Sequence, residues 1–184
     1  QGLWWGGPNP RAIINGDVRL TFAELDRVID STASDLAALG IGKGDRLAIL
    51  SHNCWQYPVL SFATARLGVL LVPINFMLGP DEIAFILEHS EASAFVVEDA
   101  LLPVAVAAMS SLSAPIAVTA VIPMSGDPVP EDWLDVDEWT RGDAKPPTVH
   151  VGYEDTLRLM YTSGTESRPK GVLWTHANAL WGAR

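Results

Sequence analysis

Residues 46–74 of the chain, RLAILSHNCWQYPVLSFATARLGVLLVPI, contain the pattern from which the fold follows. Two short apolar runs, Arg46–Leu50 and Val69–Ile74, each have the length and composition of a buried strand. The longer segment between them, Ser51–Arg66, predicts a helix, and Gly68 is suited to end it. A strand, a crossover helix and a second strand form a unit whose strands are parallel. The stretch therefore predicts a parallel sheet with a helix packed on it.

The same alternation continues toward the C-terminus. A helix is predicted to begin at Pro80, since Pro is favoured in the first turn and the acids that follow suit the positive end of the helix dipole. Strands are predicted over Ala94–Val97 and Ile116–Ile122, with a helix over Leu101–Ser111 between them. Because strands and helices alternate over about a hundred residues, the sequence predicts an α/β fold with a largely parallel sheet.

The N-terminal side carries two local signals. Residues 12–15 and 18–20 are strand-like and flank a Gly-Asp pair, which predicts a hairpin. Thr21 and Glu24 have the spacing of a capping box, in which each side chain satisfies a free backbone N–H group of the other residue. The sequence therefore predicts a helix that begins after Thr21 and, from its apolar periodicity, ends at Gly40.

Composition divides the chain into three segments. Residues 1–124 are predicted to form an α/β sheet subdomain. Residues 125–152 are rich in proline and acidic residues, and we interpret them as a connector with a short helix around Trp133–Trp139, whose two Trp side chains pack against the domain. Residues 153–184 are expected to begin a second sheet subdomain, because a new apolar strand, Thr156–Tyr161, starts there.

The balance of charge argues against one large class of function. The 184 residues include 12 Lys and Arg and 22 Asp and Glu, which gives a formal net charge of −10 and a pI near 4.6. No Lys or Arg occurs between Arg66 and Arg141. Proteins that bind nucleic acid normally present a basic face to the phosphates, so direct nucleic-acid binding is not expected.

The apolar residues 101–124 carry no charged side chain, and on length alone they could span a membrane. Pro103, Pro115 and Pro123 interrupt them, and their flanks are acidic, so we expect a surface helix and a buried strand and no transmembrane segment. The single cysteine, Cys54, is expected to be a buried apolar side chain. One cysteine cannot form an intramolecular disulfide, which suits a reducing, cytoplasmic location.

A polar loop follows the predicted strand Thr156–Tyr161. Its sequence, TSGTESRPKG over residues 162–171, contains two glycines, four hydroxyl side chains and a lysine. Glycine lets backbone N–H groups approach an anion, the hydroxyls add donors, and Lys170 adds a mobile positive charge. These are the requirements for holding a polyphosphate. The alternative from residue types alone is a polar hairpin loop that binds nothing.

The order of the residues in this loop resembles the phosphate-binding signature of the adenylate-forming superfamily, which includes acyl-CoA synthetases, peptide-synthetase adenylation domains and firefly luciferase. The signature is Tyr-Thr-Ser-Gly-Thr, three variable positions and Pro-Lys-Gly, and residues 161–171 follow it. Ser167 stands where many members have a second glycine, as in a variant found among acyl-CoA synthetases. Residues 20–25, 42–49 and 65–75 also resemble segments of the family, in the same order.

The resemblance implies an activity and a set of ligands. In the family a carboxylate attacks the α-phosphate of ATP, giving an acyl-adenylate and pyrophosphate, and a thiol such as coenzyme A then takes the acyl group. The loop holds the β- and γ-phosphates, which implies phosphate contacts from Thr162, Ser163, Gly164, Thr165, Glu166 and Ser167. Lys170 is a nearby cation, and Thr162 is also assigned to the Mg²⁺ side. Glu166 is expected to use its backbone N–H group, because its carboxylate would repel phosphate.

The resemblance also implies that the chain is the first part of the large N-terminal domain of a longer enzyme. The family's acyl pocket, adenine contacts, metal-binding glutamate, ribose-binding aspartate and C-terminal lysine lie downstream of Arg184, so the chain alone is expected to be inactive. The favoured function of the whole protein is conversion of a fatty acid to its acyl-CoA. The alternatives are an aryl-acid or amino-acid adenylating enzyme and a non-catalytic interaction domain with a relic loop. Homo-oligomerisation is compatible with each.

Three other site patterns fail on spacing. A Walker P-loop has Gly before its Lys and Ser or Thr after it, whereas Pro169 precedes Lys170 and Gly171 follows it. A hydrolase elbow has Gly two residues to either side of its serine, and Ser163 lacks both. Metal-ligand spacing is absent from the histidines and Cys54, and His176 is better explained as the start of a helix.

Overall fold

Parallel strands of buried residues form the centre of the structure, a computed structural model that describes residues 10–162 and 169–182. In chain order the strands are β1 (Arg11–Asn15), β2 (Val18–Thr21), β3 (Arg46–Leu50), β4 (Leu70–Ile74), β5 (Ala94–Glu98), β6 (Val118–Ile122), β7 (Leu134–Asp135), β8 (Thr156–Thr162) and β9 (Lys170–Thr175). The helices are α1 (Phe22–Ala38), α2 (Gln56–Leu67), α3 (Pro80–His89), α4 (Leu102–Met109), α5 (Val136–Trp139) and α6 (His176–Gly182).

Strands β3 to β9 lie side by side in one sheet, in the order β7-β6-β5-β3-β4-β8-β9. Every neighbouring pair in this sheet is parallel except β8 and β9, which are antiparallel. Strands β1 and β2 form a separate antiparallel hairpin, as the sequence predicted. The largely parallel α/β sheet expected from the sequence is therefore confirmed.

Successive residues of a strand point to opposite sides of the sheet. Because the residues on both sides are apolar here, helices cover both faces. Leu47 and Ile49 of β3 pack in one core with residues of α1, α2 and α5. Ala48 and Leu50 of the same strand pack in a second core with residues of α3 and α4. The result is three layers: helices, sheet and helices. The side chains of β3 and β5 are buried on both faces of the sheet, so neither strand has a polar face.

Local signals account for the start of α1. The Thr21 hydroxyl accepts a hydrogen bond from the Glu24 N–H group at 3.2 Å, and Glu24 Oε2 accepts one from the Thr21 N–H group at 2.8 Å. This reciprocal pair is the predicted capping box. The helix ends at Ala38, two residues before the predicted stop at Gly40.

Three other predicted helices differ from the structure in their bounds, and the one expected around Trp133–Trp139 is only α5, Val136–Trp139, directly after the short strand β7. The helix predicted over Ser51–Arg66 begins only at Gln56, because residues 51–55 form the turn that leaves β3. The helix predicted over Leu101–Ser111 is a short 3-10 turn followed by α4 at Leu102–Met109, and β6 comes next. In the described parts of the chain, each helix is too short or too polar to cross a lipid bilayer.

The segment between β6 and β8 packs against the rest of the structure. It contributes β7 to the edge of the sheet and α5, and Trp139 is buried beside α1 and α2. Trp133 packs partly buried against the second core, so both Trp side chains lie where the sequence predicted. β8 then pairs with β4, which places it in the same sheet as residues 46–135. The division into subdomains at residues 124 and 152 stays a prediction.

Candidate functional site

The carboxyl ends of the parallel strands meet at one edge of the sheet. β3 ends there at Leu50, β4 at Ile74, β5 at Glu98 and β8 at Thr162. In open α/β sheets, ligands bind in the crevice outside this edge, because the loops that leave the strands converge there. The polar loop after β8 therefore starts where such a sheet places a binding site.

Two of the predicted site residues, Thr162 and Lys170, lie in the part of the chain that the structure describes, and they are opposite each other on neighbouring strands. Thr162 ends β8, Lys170 begins β9, and the two are register partners. Both are exposed to solvent. Phosphate contacts from the loop residues between them lie outside the described residues and stay predictions: Ser163, Gly164, Thr165, Glu166 and Ser167. The role of Thr162 toward Mg²⁺ also stays a prediction.

The glycine directly after Lys170 lies close to two side chains of β8. Gly171 is the register partner of Tyr161, and a Cβ atom added to it would lie 2.8 Å from Leu159 Cδ1 and 3.6 Å from Tyr161 Cζ. The 2.8 Å contact is with the end of the flexible Leu159 side chain, which can turn away, and the distance to Tyr161 is an ordinary van der Waals contact. The packing of β9 on β8 therefore does not by itself demand the Gly in Pro-Lys-Gly.

A second polar group lies at the same edge, and the sequence analysis did not single it out. Glu98 is 6% exposed, and its Oε2 accepts hydrogen bonds from the His52 N–H group at 2.7 Å and from the Ser51 hydroxyl at 3.3 Å. His52 Nδ1 lies 2.9 Å from the same oxygen, and its ring stacks on Phe76 with the centroids 4.0 Å apart. The sequence did contain a signal for this group: a Ser-His pair directly follows one buried strand, and an acidic residue ends another.

The position of this group follows from the order of the strands. From β3 the chain crosses through α2 to β4 on one side, and from β4 it crosses back through α3 to β5 on the other side of β3. The carboxyl ends of β3 and β5 are therefore the point at which the winding reverses, where doubly wound sheets commonly bind ligands. His52 follows β3 and Glu98 ends β5, so their contact closes this crevice.

Cys54 lies behind the same edge, where its Sγ is 3.6 Å from the Ser51 hydroxyl. Its side chain is buried in the core that α1 and α2 cover, as the sequence predicted. Burial raises the pKa of the thiol, which disfavours the reactive thiolate. The cysteine is therefore a packing residue.

The chain is similar to known proteins over almost its whole length. The sequence pattern of the family described as AMP-binding enzyme matches residues 6–184. The chain is 36% identical over 164 residues to a long-chain-fatty-acid–CoA ligase of Mycobacterium tuberculosis, an alignment that covers 87% of this chain and 30% of the relative. It is 36% identical over 176 residues to a feruloyl-CoA synthase of an Amycolatopsis species, which covers 95% of this chain and 32% of the relative.

A solved structure supports the same relationship. A benzoate CoA ligase from Burkholderia xenovorans superposes with a TM-score of 0.80 at 26% sequence identity. The match covers 95% of this chain and 33% of the benzoate ligase. The chain thus spans about a third of the length of the relatives that it matches, and its fold is that of their N-terminal parts.

Proposed function

The chain belongs to the AMP-binding enzyme family, and from this we propose that the complete protein activates a carboxylic acid as an acyl-adenylate and transfers the acyl group to coenzyme A. A fatty acid is the favoured substrate, because a long-chain-fatty-acid–CoA ligase is among the most similar relatives. The observation that carries the proposal is the position of Tyr161 and Thr162 at the end of β8 and of Lys170 and Gly171 at the start of β9, at the carboxyl edge of a parallel sheet.

In this proposal the hairpin holds the triphosphate of ATP. The Lys170 side chain is exposed at the mouth of the hairpin, where a long flexible amine can reach a β- or γ-phosphate oxygen. Thr162 is its register partner on the other strand, and its hydroxyl is an oxygen ligand of the kind that Mg²⁺ accepts. ATP supplies the leaving group, pyrophosphate, whose developing charge is stabilised by positioning and electrostatics and not by covalent chemistry.

The test is an assay of the complete protein with ATP, Mg²⁺, coenzyme A and a panel of fatty acids of different length. We expect acid-dependent exchange of pyrophosphate into ATP, and acyl-CoA when the thiol is present. Exchange without acyl-CoA would point to another acceptor. If no acid supports exchange although the protein is folded, the proposed function is wrong and the interaction domain with a relic loop becomes the better explanation.

The chain of 184 residues is proposed to be inactive by itself. It contains about a third of the length of its relatives, and the resemblance places the adenine, ribose and acyl contacts downstream. We expect neither pyrophosphate exchange nor acyl-CoA above a buffer blank from the purified chain. Turnover by this chain would show that the catalytic groups lie within it.

Aryl-acid activation is a second candidate function. The feruloyl-CoA synthase is as similar to this chain as the fatty-acid ligase, at 36% identity over more of the chain. The same assay with ferulate, benzoate and long-chain fatty acids separates the two candidates through the ratio of their kcat/KM values.

A further inference from the structure

Helix α3 contacts the strand that leads into the phosphate-binding loop. The Tyr161 hydroxyl and His89 Nδ1 are 2.7 Å apart and share a hydrogen bond. The two rings meet edge to face with their centroids 5.7 Å apart, and the Phe85 ring lies edge to face with Tyr161 at 6.5 Å. Tyr161 is thus fixed by two side chains of one helix, one residue before Thr162.

The same helix also borders a cavity that reaches the far end of the loop. Pro169, which directly precedes Lys170, lines a cavity of about 430 Å³ together with Ala84, Phe85 and Glu88 of α3. Gly171 lies opposite Tyr161 on the neighbouring strand. Tyr161, before the loop, therefore contacts α3 directly, and Pro169, after the loop, lies across a shared cavity from the same helix.

Folding alone does not explain the polar part of this contact. The Tyr161 ring is partly buried against the core beneath α3, and a phenylalanine ring would fill the same space. Only the hydroxyl distinguishes tyrosine from phenylalanine here, and its partner is an exposed histidine at the end of a helix. A hydrogen bond at such a position adds little to stability but sets the angle of the ring and of its strand.

We propose that His89 is a positioning residue for the phosphate-binding loop and acts through the Tyr161 hydroxyl. The inference rests on the proposed function, because it assigns a residue to the ATP site of that reaction. His89 does not touch the nucleotide. It holds Tyr161 at one angle, and Tyr161 in turn fixes where Thr162 begins the loop. Removing the bond releases the Tyr161 ring from this position, which lowers the fraction of molecules in which Thr162 is placed to bind triphosphate.

The test compares single and double variants of the complete protein. His89→Ala and Tyr161→Phe are each expected to raise the KM for ATP about two- to tenfold, which corresponds to about 0.4–1.4 kcal/mol. The double variant should show no further rise, because both changes remove the same bond. The KM for the carboxylic acid should stay unchanged. His89→Asn should restore the parent KM for ATP, because the amide places a polar atom near the position of Nδ1.

Matched controls separate positioning from a general structural role. His150→Ala removes an exposed histidine outside the hairpin and should change neither KM nor the melting temperature. The inference is overturned if the effects of His89→Ala and Tyr161→Phe on the KM for ATP add in the double variant. It is also overturned if kcat falls equally with every substrate and His89→Asn does not restore the parent values. If the parent is active and both variants match it, the inference alone fails. A parent without pyrophosphate exchange overturns the proposed function and this inference with it.

Discussion

At the scale of single residues, the proposed site depends most on Lys170. Lys170→Ala in the complete protein should weaken ATP binding and slow adenylation about ten- to a hundredfold, the effect of losing a charge-assisted contact of roughly 1.5–3 kcal/mol. The melting temperature of the unliganded protein should hardly change, because Lys170 is exposed and surface charges contribute about 0–1 kcal/mol to folding. Steady-state kinetics with varied ATP and a thermal melt measure the two effects.

Lys43 provides the matched control for this experiment. It lies before β3, at the opposite edge of the sheet, and its Nζ is 2.7 Å from an Asp155 carboxylate oxygen. Lys43→Ala should therefore leave adenylation at the parent rate and affect only folding, by the small amount typical of a surface ion pair. If the Lys170→Ala protein adenylates at the parent rate but has a much lower melting temperature, the hairpin is a structural turn and the assignment of the site is wrong.

At the scale of elements, Asp30 joins three segments that are distant in sequence. It is buried in α1, where Arg66 of α2 and Lys145 of residues 125–152 both donate hydrogen bonds to it. Burial alone raises the pKa of Asp30, but the hydrogen bonds from Lys145 and Arg66 outweigh it, so the pKa lies below the ordinary value of 3.8. The ionised carboxylate therefore stabilises the fold above the unfolded-state pKa, and this contribution disappears as the pH falls through the lower folded-state value.

The prediction for these elements is that Asp30→Asn makes the folded chain less sensitive to acid. The variant should be less stable than the parent at pH 7, because it lacks the paired carboxylate, and the two should converge as the pH falls below the ordinary pKa of 3.8. Urea unfolding at a series of pH values measures both stabilities. Asp17→Asn, a change of the same chemistry at an exposed turn residue, should leave the profile as in the parent. Parallel profiles for parent and Asp30→Asn would contradict the proposed link.

At the scale of the whole molecule, the described chain exposes an apolar edge. β9 is the last strand of the sheet, Leu173 on it is 61% exposed, and Trp181 of the following helix is 78% exposed. An exposed apolar edge strand is a template for pairing with another chain. We expect the isolated chain to self-associate in a concentration-dependent way, measurable by analytical ultracentrifugation. Leu173→Lys should reduce the association. Val106→Lys, which changes an exposed apolar side chain of α4 away from this edge, should not.

Much of the fold was predictable because the information is local. The capping box at Thr21 and Glu24, the buried runs of β3 to β6 and the start of α3 at Pro80 each depend on neighbours within one element. The exact start of α2 was not predictable, because the turn at residues 51–55 is held by contacts with Glu98, 47 positions away from Ser51. The periodicity of a segment carries no information about such a partner.

The sequence by itself determined the α/β class, the polar loop of residues 162–171 and the family resemblance, since each is written in the order of adjacent residues. Only the tertiary structure decided that β8 joins β4, that His52 meets Glu98 where the winding reverses, and that His89 reaches Tyr161. His52 and Glu98 are 46 residues apart in the chain, and His89 and Tyr161 are 72 residues apart. Their contact depends on which strands neighbour each other, and that order follows from packing two apolar faces at once, which no single segment specifies.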